Sequence, residues 1–171
     1  EAFNVTVNPN SEMNDPENIV VCAGDPVGPI EFESTVEAGT TTYVWEINDG
    51  DGLSNGSDIG LTQTDFSSGV INEFTSVNGG SETLVIEIEV TPTFSNGGVE
   101  CSPPTETFTI TVNPVPDIND SLNNAICHNE SYTYSPVNGD DGVVPSGVTY
   151  SWLAPDTTDP TVQGTSGTNQ N

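Results

Sequence analysis

The sequence predicts an all-β protein built from tandem β-sandwich modules. Three observations carry that prediction. Apolar and polar residues alternate in several short runs, the two-residue period of a strand with one wet face. The composition suits many strands and turns: 17 Gly and 13 Pro stand among abundant Thr, Ser, Asn and Val. And the chain repeats itself. EAFNVTVNPNSEMNDPENIVVC (1–22) and ETFTITVNPVPDINDSLNNAIC (106–127) align at a constant offset of 105 residues.

The elements follow in chain order. Phe3, Val5 and Val7 alternate with Asn4, Thr6 and Asn8, which predicts a strand over residues 1–8. Asn8-Pro9 closes it, because Pro donates no N–H to a ladder and holds its predecessor extended. TTYVWEI (41–47) is a β-rich run. In TLVIEIEV (83–90), Leu84, Ile86, Ile88 and Val90 point one way and Val85, Glu87 and Glu89 the other. Phe108, Ile110 and Val112 repeat the alternation of the first strand, and Asn113-Pro114 repeats its exit. VTYSWLA (148–154) matches 41–47, with Tyr150-Ser151-Trp152 offset by 107 from Tyr43-Val44-Trp45. No run shows a 3.6-residue period with caps, so little or no helix is expected.

These boundaries predict three segments. Residues 1–8 read as the last strand of a preceding repeat. Residues 9–113 read as one complete sandwich of about seven strands. Residues 114–171 read as the beginning of the next repeat, reached through the short, stiff junction Pro114-Val115-Pro116. Tandem sandwiches joined in this way make a rod. Residue 1 enters in mid-repeat, so the sequence reads as a piece of a longer chain.

Charge narrows the function. The chain has 26 Asp and Glu, one His and no Lys or Arg. Its carboxylates must be met by water, backbone N–H groups, hydroxyls or cations from solution. Phosphate binding needs Lys and Arg, so no nucleic-acid partner is expected. An anionic membrane surface is disfavoured in the same way. No run approaches the roughly 18 apolar residues of a membrane-spanning helix, and no direct membrane insertion is expected. Only 15 % of residues are charged and the apolar ones are patterned, which argues against a disordered chain.

Cys22 and Cys101 stand near the two ends of the 9–113 unit, and Cys127 repeats Cys22. The reading adopted is a Cys22–Cys101 disulfide, worth about 4 kcal/mol by loop closure. It implies an oxidising compartment. The alternative is three free buried thiols. Trp45 lies between the two cysteines, as in immunoglobulin-like domains, though the gap from Cys to Trp is longer. Trp45 and Trp152 read as core residues, with a sugar-stacking platform as the functional alternative.

Together FTITVNP, the Cys22/Cys101 spacing, TYxW, TLxIEIxVTPT and ECxxPxxTFTITVNPxP carry a resemblance over nearly the whole chain. They resemble the PKD-like, immunoglobulin-like repeats of giant Bacteroidota cell-surface adhesins, the gliding-motility adhesins among them. That resemblance implies a non-catalytic module of a long extracellular filament attached to the outer membrane. It implies export by the type IX secretion system and a role in gliding motility or surface attachment. The partners would be neighbouring repeats, the gliding and secretion machinery, and a substratum or polysaccharide gripped by other parts of the chain. The alternative is a carbohydrate- or protein-binding accessory module of a large secreted enzyme. An S-layer or biofilm matrix component is a third reading.

Two acidic loops could hold Ca2+, which takes six to eight oxygen ligands in Gly-rich turns. In NDGDGLSNGSD (48–58) the candidate ligands are Asp49, Asp51 and Asp58, with Asn48 and Asn55 beside them. The spacing does not complete an EF-hand. In NGDDG (138–142) they are Asp140 and Asp141. The plainer reading of both is a polar turn in a very acidic protein. Junction acids Asp15, Glu17, Asp25, Asp117 and Asp120 offer weaker sites. Ser121 and Thr157 follow Asp as in the short O-glycosylation signal of secreted Bacteroidota proteins, a match that chance also produces. No enzyme is expected: the single His adjoins a cysteine, and neither a catalytic triad nor a phosphate-cradling loop can be assembled.

Overall fold

The computed structural model describes residues 2–9, 13–36, 39–48, 54–119, 125–127 and 130–153, and the backbone of 167–170. The described chain is all-β, in several sheets, with a single 3-10 turn at Gly56–Ile59. It divides into two compact units: Glu1–Asn78 with Thr83–Asn113, and Gly79–Glu82 with Pro114–Asn171.

In the first unit the strands are β1 (Ile19–Cys22), β2 (Pro26–Val27), β3 (Ile30–Glu31), β4 (Thr40–Asn48), β5 (Val70–Ile71), β6 (Phe74–Thr75), β7 (Leu84–Asn96), β8 (Val99–Cys101) and β9 (Glu106–Asn113). The main sheet runs β1-β9-β7-β4, with β8 pairing the far end of β7. β1 lies parallel to β9, from Ile19↔Ile110 to Cys22↔Asn113; the other pairs are antiparallel. The alternation read from the sequence sets the faces. Ile86, Ile88, Val90 and Phe94 of β7, Phe108, Ile110 and Val112 of β9, and Tyr43 and Trp45 of β4 all point into the core. β9 ends at Asn113, immediately before Pro114.

β7 turns into β8 through Gly97 and Gly98, both at positive φ (62° and 80°), the two-residue primed turn that suits strand twist. The register then shifts by one residue between Phe94↔Cys101 and Val90↔Glu106. Ser102-Pro103-Pro104-Thr105 is therefore a bulge. Three prolines meet there without conflict. Trp45 N–H donates to Phe66 O, away from β7. By the two-residue period, Tyr43↔Pro92 is then a non-hydrogen-bonded pair. The missing N–H of Pro92 thus faces the gap left by Pro103 and Pro104, where no ladder bond is lost.

A second layer covers the apolar face. β2 and β3 pair with β6 and β5 as one ribbon, Val27↔Phe74 and Ile30↔Ile71, interrupted at the cis bond Gly28-Pro29. The bridge Met13↔Ser34 extends it. Met13, Val27, Phe32, Ile59, Leu61 and Ile71 join the main-sheet residues in a single core. Trp45 sits at its centre, edge-on to Phe66 at 4.7 Å, and Tyr43 leans on Phe32 at 5.9 Å.

Two expectations need correction. The Cys22–Cys101 disulfide is not formed; Cys22, Cys101 and Cys127 are all free thiols. Geometry is the reason. Cys22 pairs with Asn113, one residue beyond the Leu84↔Val112 pair, whereas Cys101 pairs with Phe94. The ten-residue run of β7 between those levels separates them by about 33 Å, and a disulfide needs Cα atoms within about 7 Å. Second, residues 2–9 pair with no strand among the described residues. An isolated strand has no ladder, and the matching place in the first unit is filled by β9. Asn8 is tied to the β7–β8 hairpin: its Nδ2 donates to Asn96 O (3.0 Å) and its Oδ1 accepts from Asn96 Nδ2 (3.2 Å).

In the second unit β10 (Asp117–Ile118) pairs with β11 (Gly142–Val143), and β12 (Thr149–Trp152) pairs with β13 (Gly167–Gln170). Tyr132 and Tyr134 stack at 6.5 Å, and Val144 is buried.

Candidate functional site

With no Lys or Arg in the chain, the first question is where the carboxylates find partners. For several of them, backbone N–H groups, hydroxyls and amides supply one. Asp25 Oδ2 accepts from Cys22 N–H (3.0 Å), Asp58 Oδ2 from Asn55 N–H (3.0 Å), and Asp141 Oδ2 from Val137 N–H (2.8 Å). Asp65 Oδ1 accepts from both the hydroxyl and the N–H of Ser67 (2.8 and 3.1 Å). Those bonds, the hydroxyl first, hold the exposed Asp65 carboxyl below its usual pKa. Asn48 Nδ2 donates to Glu87 Oε1 at 2.7 Å. These are turn locks and caps, the local bonds that short acids make best.

One lock occurs twice. In the first unit Asp25 N–H donates to Cys22 O (3.1 Å) while the Asp25 carboxylate takes the Cys22 N–H. In the second, Glu130 N–H donates to Cys127 O (3.1 Å) while Glu130 Oε2 takes the Cys127 N–H (3.0 Å). A bridge recurs as well. Asn14 N–H donates to Glu33 O (3.0 Å) beside Met13↔Ser34. Asn119 N–H donates to Asp141 O (2.9 Å) beside Ile118↔Gly142. The offset is 105 on the first side of that bridge and 108 on the second, so the second copy carries its extra residues between the cysteine turn and β11. The spacing C-x-x-[DE] was present twice in the sequence and would have signalled the lock.

The sequence-predicted ligands divide. Asp49, Asp51, Asp120, Ser121 and Thr157 lie outside the described residues. Asp58 caps the 3-10 turn. Asp140 is exposed, and its main-chain oxygen accepts from Asn119 Nδ2 at 3.3 Å. Asp141 belongs to a wired turn: Asp141 N–H donates to Val137 O (2.9 Å), Gly139 N–H to Gly142 O (2.9 Å), and Val144 N–H to Asn138 Oδ1 (3.0 Å). The Tyr134 hydroxyl nearby is shut off from solvent without a well-formed partner. Its desolvation, and then the Asp141 carboxylate, push its pKa up to about 12. Among the described residues no three His, Cys, Asp or Glu side chains gather as metal ligands.

Asp15, Glu17 and Glu31 line a shallow cleft with Ile19, Pro29 and Ile30, open to solvent. Trp45 is fully buried, whereas Trp152 is half-exposed. Comparison of the chain with protein-family models, with curated proteins and with solved structures finds no match.

Proposed function

We propose that this chain is a non-catalytic, immunoglobulin-like repeat module of a long secreted filament that spaces an adhesive tip from the cell surface. The recurrence of the cysteine turn and of the Asn14/Asn119 bridge at the sequence period is the observation that supports it most directly. Modules that share local wiring at a fixed spacing suit a rod whose function is its length. The acidic, self-repelling surface keeps such a rod hydrated and separate from its neighbours. Attachment to the outer membrane, type IX export and a part in gliding belong to the same proposal and rest on the sequence resemblance.

Small-angle X-ray scattering tests the rod. The maximum dimension should grow by one module length for each 105-residue unit added; a dimension that stays constant removes the reading. Calcium at the 48–58 loop is part of this proposal, since the Asp58 carboxylate keeps lone pairs beyond its bond to Asn55. Calcium added after chelation should raise the unfolding temperature, and less so in Asp51→Asn. No shift removes the ion. The half-exposed Trp152 favours the second reading, an accessory module that binds carbohydrate. Quenching of tryptophan fluorescence by a soluble glycan, lost in Trp152→Ala, is its test.

A further inference from the structure

We propose that the free edge of β1, with the acidic cleft beside it, is a docking site for an extended peptide segment that carries Lys or Arg. The site lies wholly within the first unit.

β1 is the outer strand of the main sheet, paired on one side with β9. Alternate residues of a strand turn their main-chain groups to opposite edges. Ala23 N–H donates to Asn113 O of β9 (2.9 Å). Val21 and Ile19 therefore face β9 too, while Val20 and Cys22 face outward. Cys22 is closed there. Asp25 takes its N–H, and its carbonyl accepts from Asp25 N–H (3.1 Å) and from the Ser76 hydroxyl (2.8 Å). Val20 is open. Its N–H and C=O point away from β9 and meet no partner among the described residues, and its side chain is 65 % exposed. Such an edge is a template for a further strand unless Lys, Pro or a bulge blunts it. Ile19-Val20-Val21-Cys22 has none of these.

A four-residue edge offers few main-chain bonds, and the cleft supplies the rest. Asp15, Glu17 and Ile19, at the start of β1, line it together with Pro29, Ile30 and Glu31, and its volume is about 490 Å3. Ile19 and Ile30 are half-buried, each packed against the core. The three acids are exposed. Unlike Asp25, Asp58, Asp65 and Asp141, their carboxylates accept no hydrogen bond from the described residues.

Charge selects the occupant. A Lys or Arg side chain matches this lining, with its methylenes along Ile19, Pro29 and Ile30 and its charged head among the carboxylates. The chain has no Lys or Arg, so a second copy cannot supply that group, and a net charge of −26 repels one. The occupant is a different, basic molecule. A segment paired at Val20 gains main-chain bonds, and its alternate side chains turn toward the cleft.

The test is fluorescence anisotropy of a labelled peptide of alternating lysine and valine, titrated with the whole 171-residue chain. Binding should saturate; a failure to saturate overturns the proposal. The triple variant Asp15→Asn, Glu17→Gln, Glu31→Gln should bind about tenfold more weakly, with an unchanged circular dichroism spectrum. Removing the same charge elsewhere, by Glu46→Gln, Glu89→Gln and Glu100→Gln, should change binding less than about twofold. Equal losses from the two triples mean diffuse attraction to an acidic protein and overturn the site. A peptide methylated on alternate backbone nitrogens keeps its charge but loses donors, and should bind about tenfold more weakly; equal binding overturns the strand pairing. On the unaltered chain, bound peptide should slow amide exchange at Val20, whose N–H is open, and leave Val21 unchanged. Exchange at Val20 that does not slow places the peptide elsewhere and overturns the proposal.

Discussion

Glu46 and Glu89 stand directly opposite each other on the solvent face of the main sheet, in the register Glu46↔Glu89. Trp45↔Val90 is a non-hydrogen-bonded pair by the argument given above, so Glu46↔Glu89 is a hydrogen-bonded one, with Cα atoms about 5.5 Å apart. Glu87 follows two residues along the same face, and its partner across the strand is Asn48, an amide. Like charges facing across a ladder cost about 0.2–1 kcal/mol. No ammonium or guanidinium in the chain offsets that cost. Glu89→Lys exchanges the repulsion for an attraction of similar size. After discounting for solvent screening, the gain should be about 1 kcal/mol at low salt, or an upward shift in Tm of about 4–8 °C for a unit of this size. Glu89→Gln should give about half of that. Differential scanning calorimetry at about 0.01 M and about 1 M salt is the assay, because the Debye length falls from about 30 Å to about 3 Å between them. The gain should shrink at high salt. A Lys variant that loses stability at low salt, or whose gain is the same at both, refutes the register and the electrostatic reasoning together.

Gly39 has φ +102°, and a Cβ there would lie 2.7 Å from the Phe94 ring and 2.8 Å from Ser95 O. Gly39→Ala should cost about 2 kcal/mol or more, read as a lower urea midpoint. Three free thiols should titrate in the unfolded chain without reductant, and Cys22→Ser with Cys101→Ser should leave Tm within about 2 °C; a mass two hydrogens short would restore the disulfide. Tyr134 carries a pKa raised from 10.0 to about 12. Its neutral form therefore contributes stability below pH 10 that is lost as the pH rises through about 12. Burial raises Tyr43 and Tyr150 as well, so tyrosinate absorbance should show several late-titrating groups, of which Asp141→Asn should bring one, Tyr134, earlier.

Much of the main sheet was legible because two-residue alternation is a direct consequence of burying one face. Ile86, Ile88 and Val90 of β7 and Phe108, Ile110 and Val112 of β9 point as their pattern requires. The second layer was not legible. β2, β3, β5 and β6 are two residues each, too short for any period, and they exist because a ribbon is needed over Trp45 and its neighbours. The cysteine pairing failed for a related reason. Order along the chain does not say at which level of a long strand each end lands, and the parallel pairing of β1 with β9 put Cys22 at the opposite end from Cys101. The acidic turns were half legible: the composition required partners other than Lys or Arg, but not that Asp25, Glu130 and Asp141 would each clasp a main-chain N–H.

Those clasps have a consequence for how the chain meets proteases and reagents. Asp25, Asp58, Asp65, Glu130 and Asp141 are met by the main chain itself, in a fold that contains no Lys or Arg. Trypsin-like proteases cut after such side chains and find no place to start, folded or unfolded. Amine-directed cross-linkers meet no lysine either.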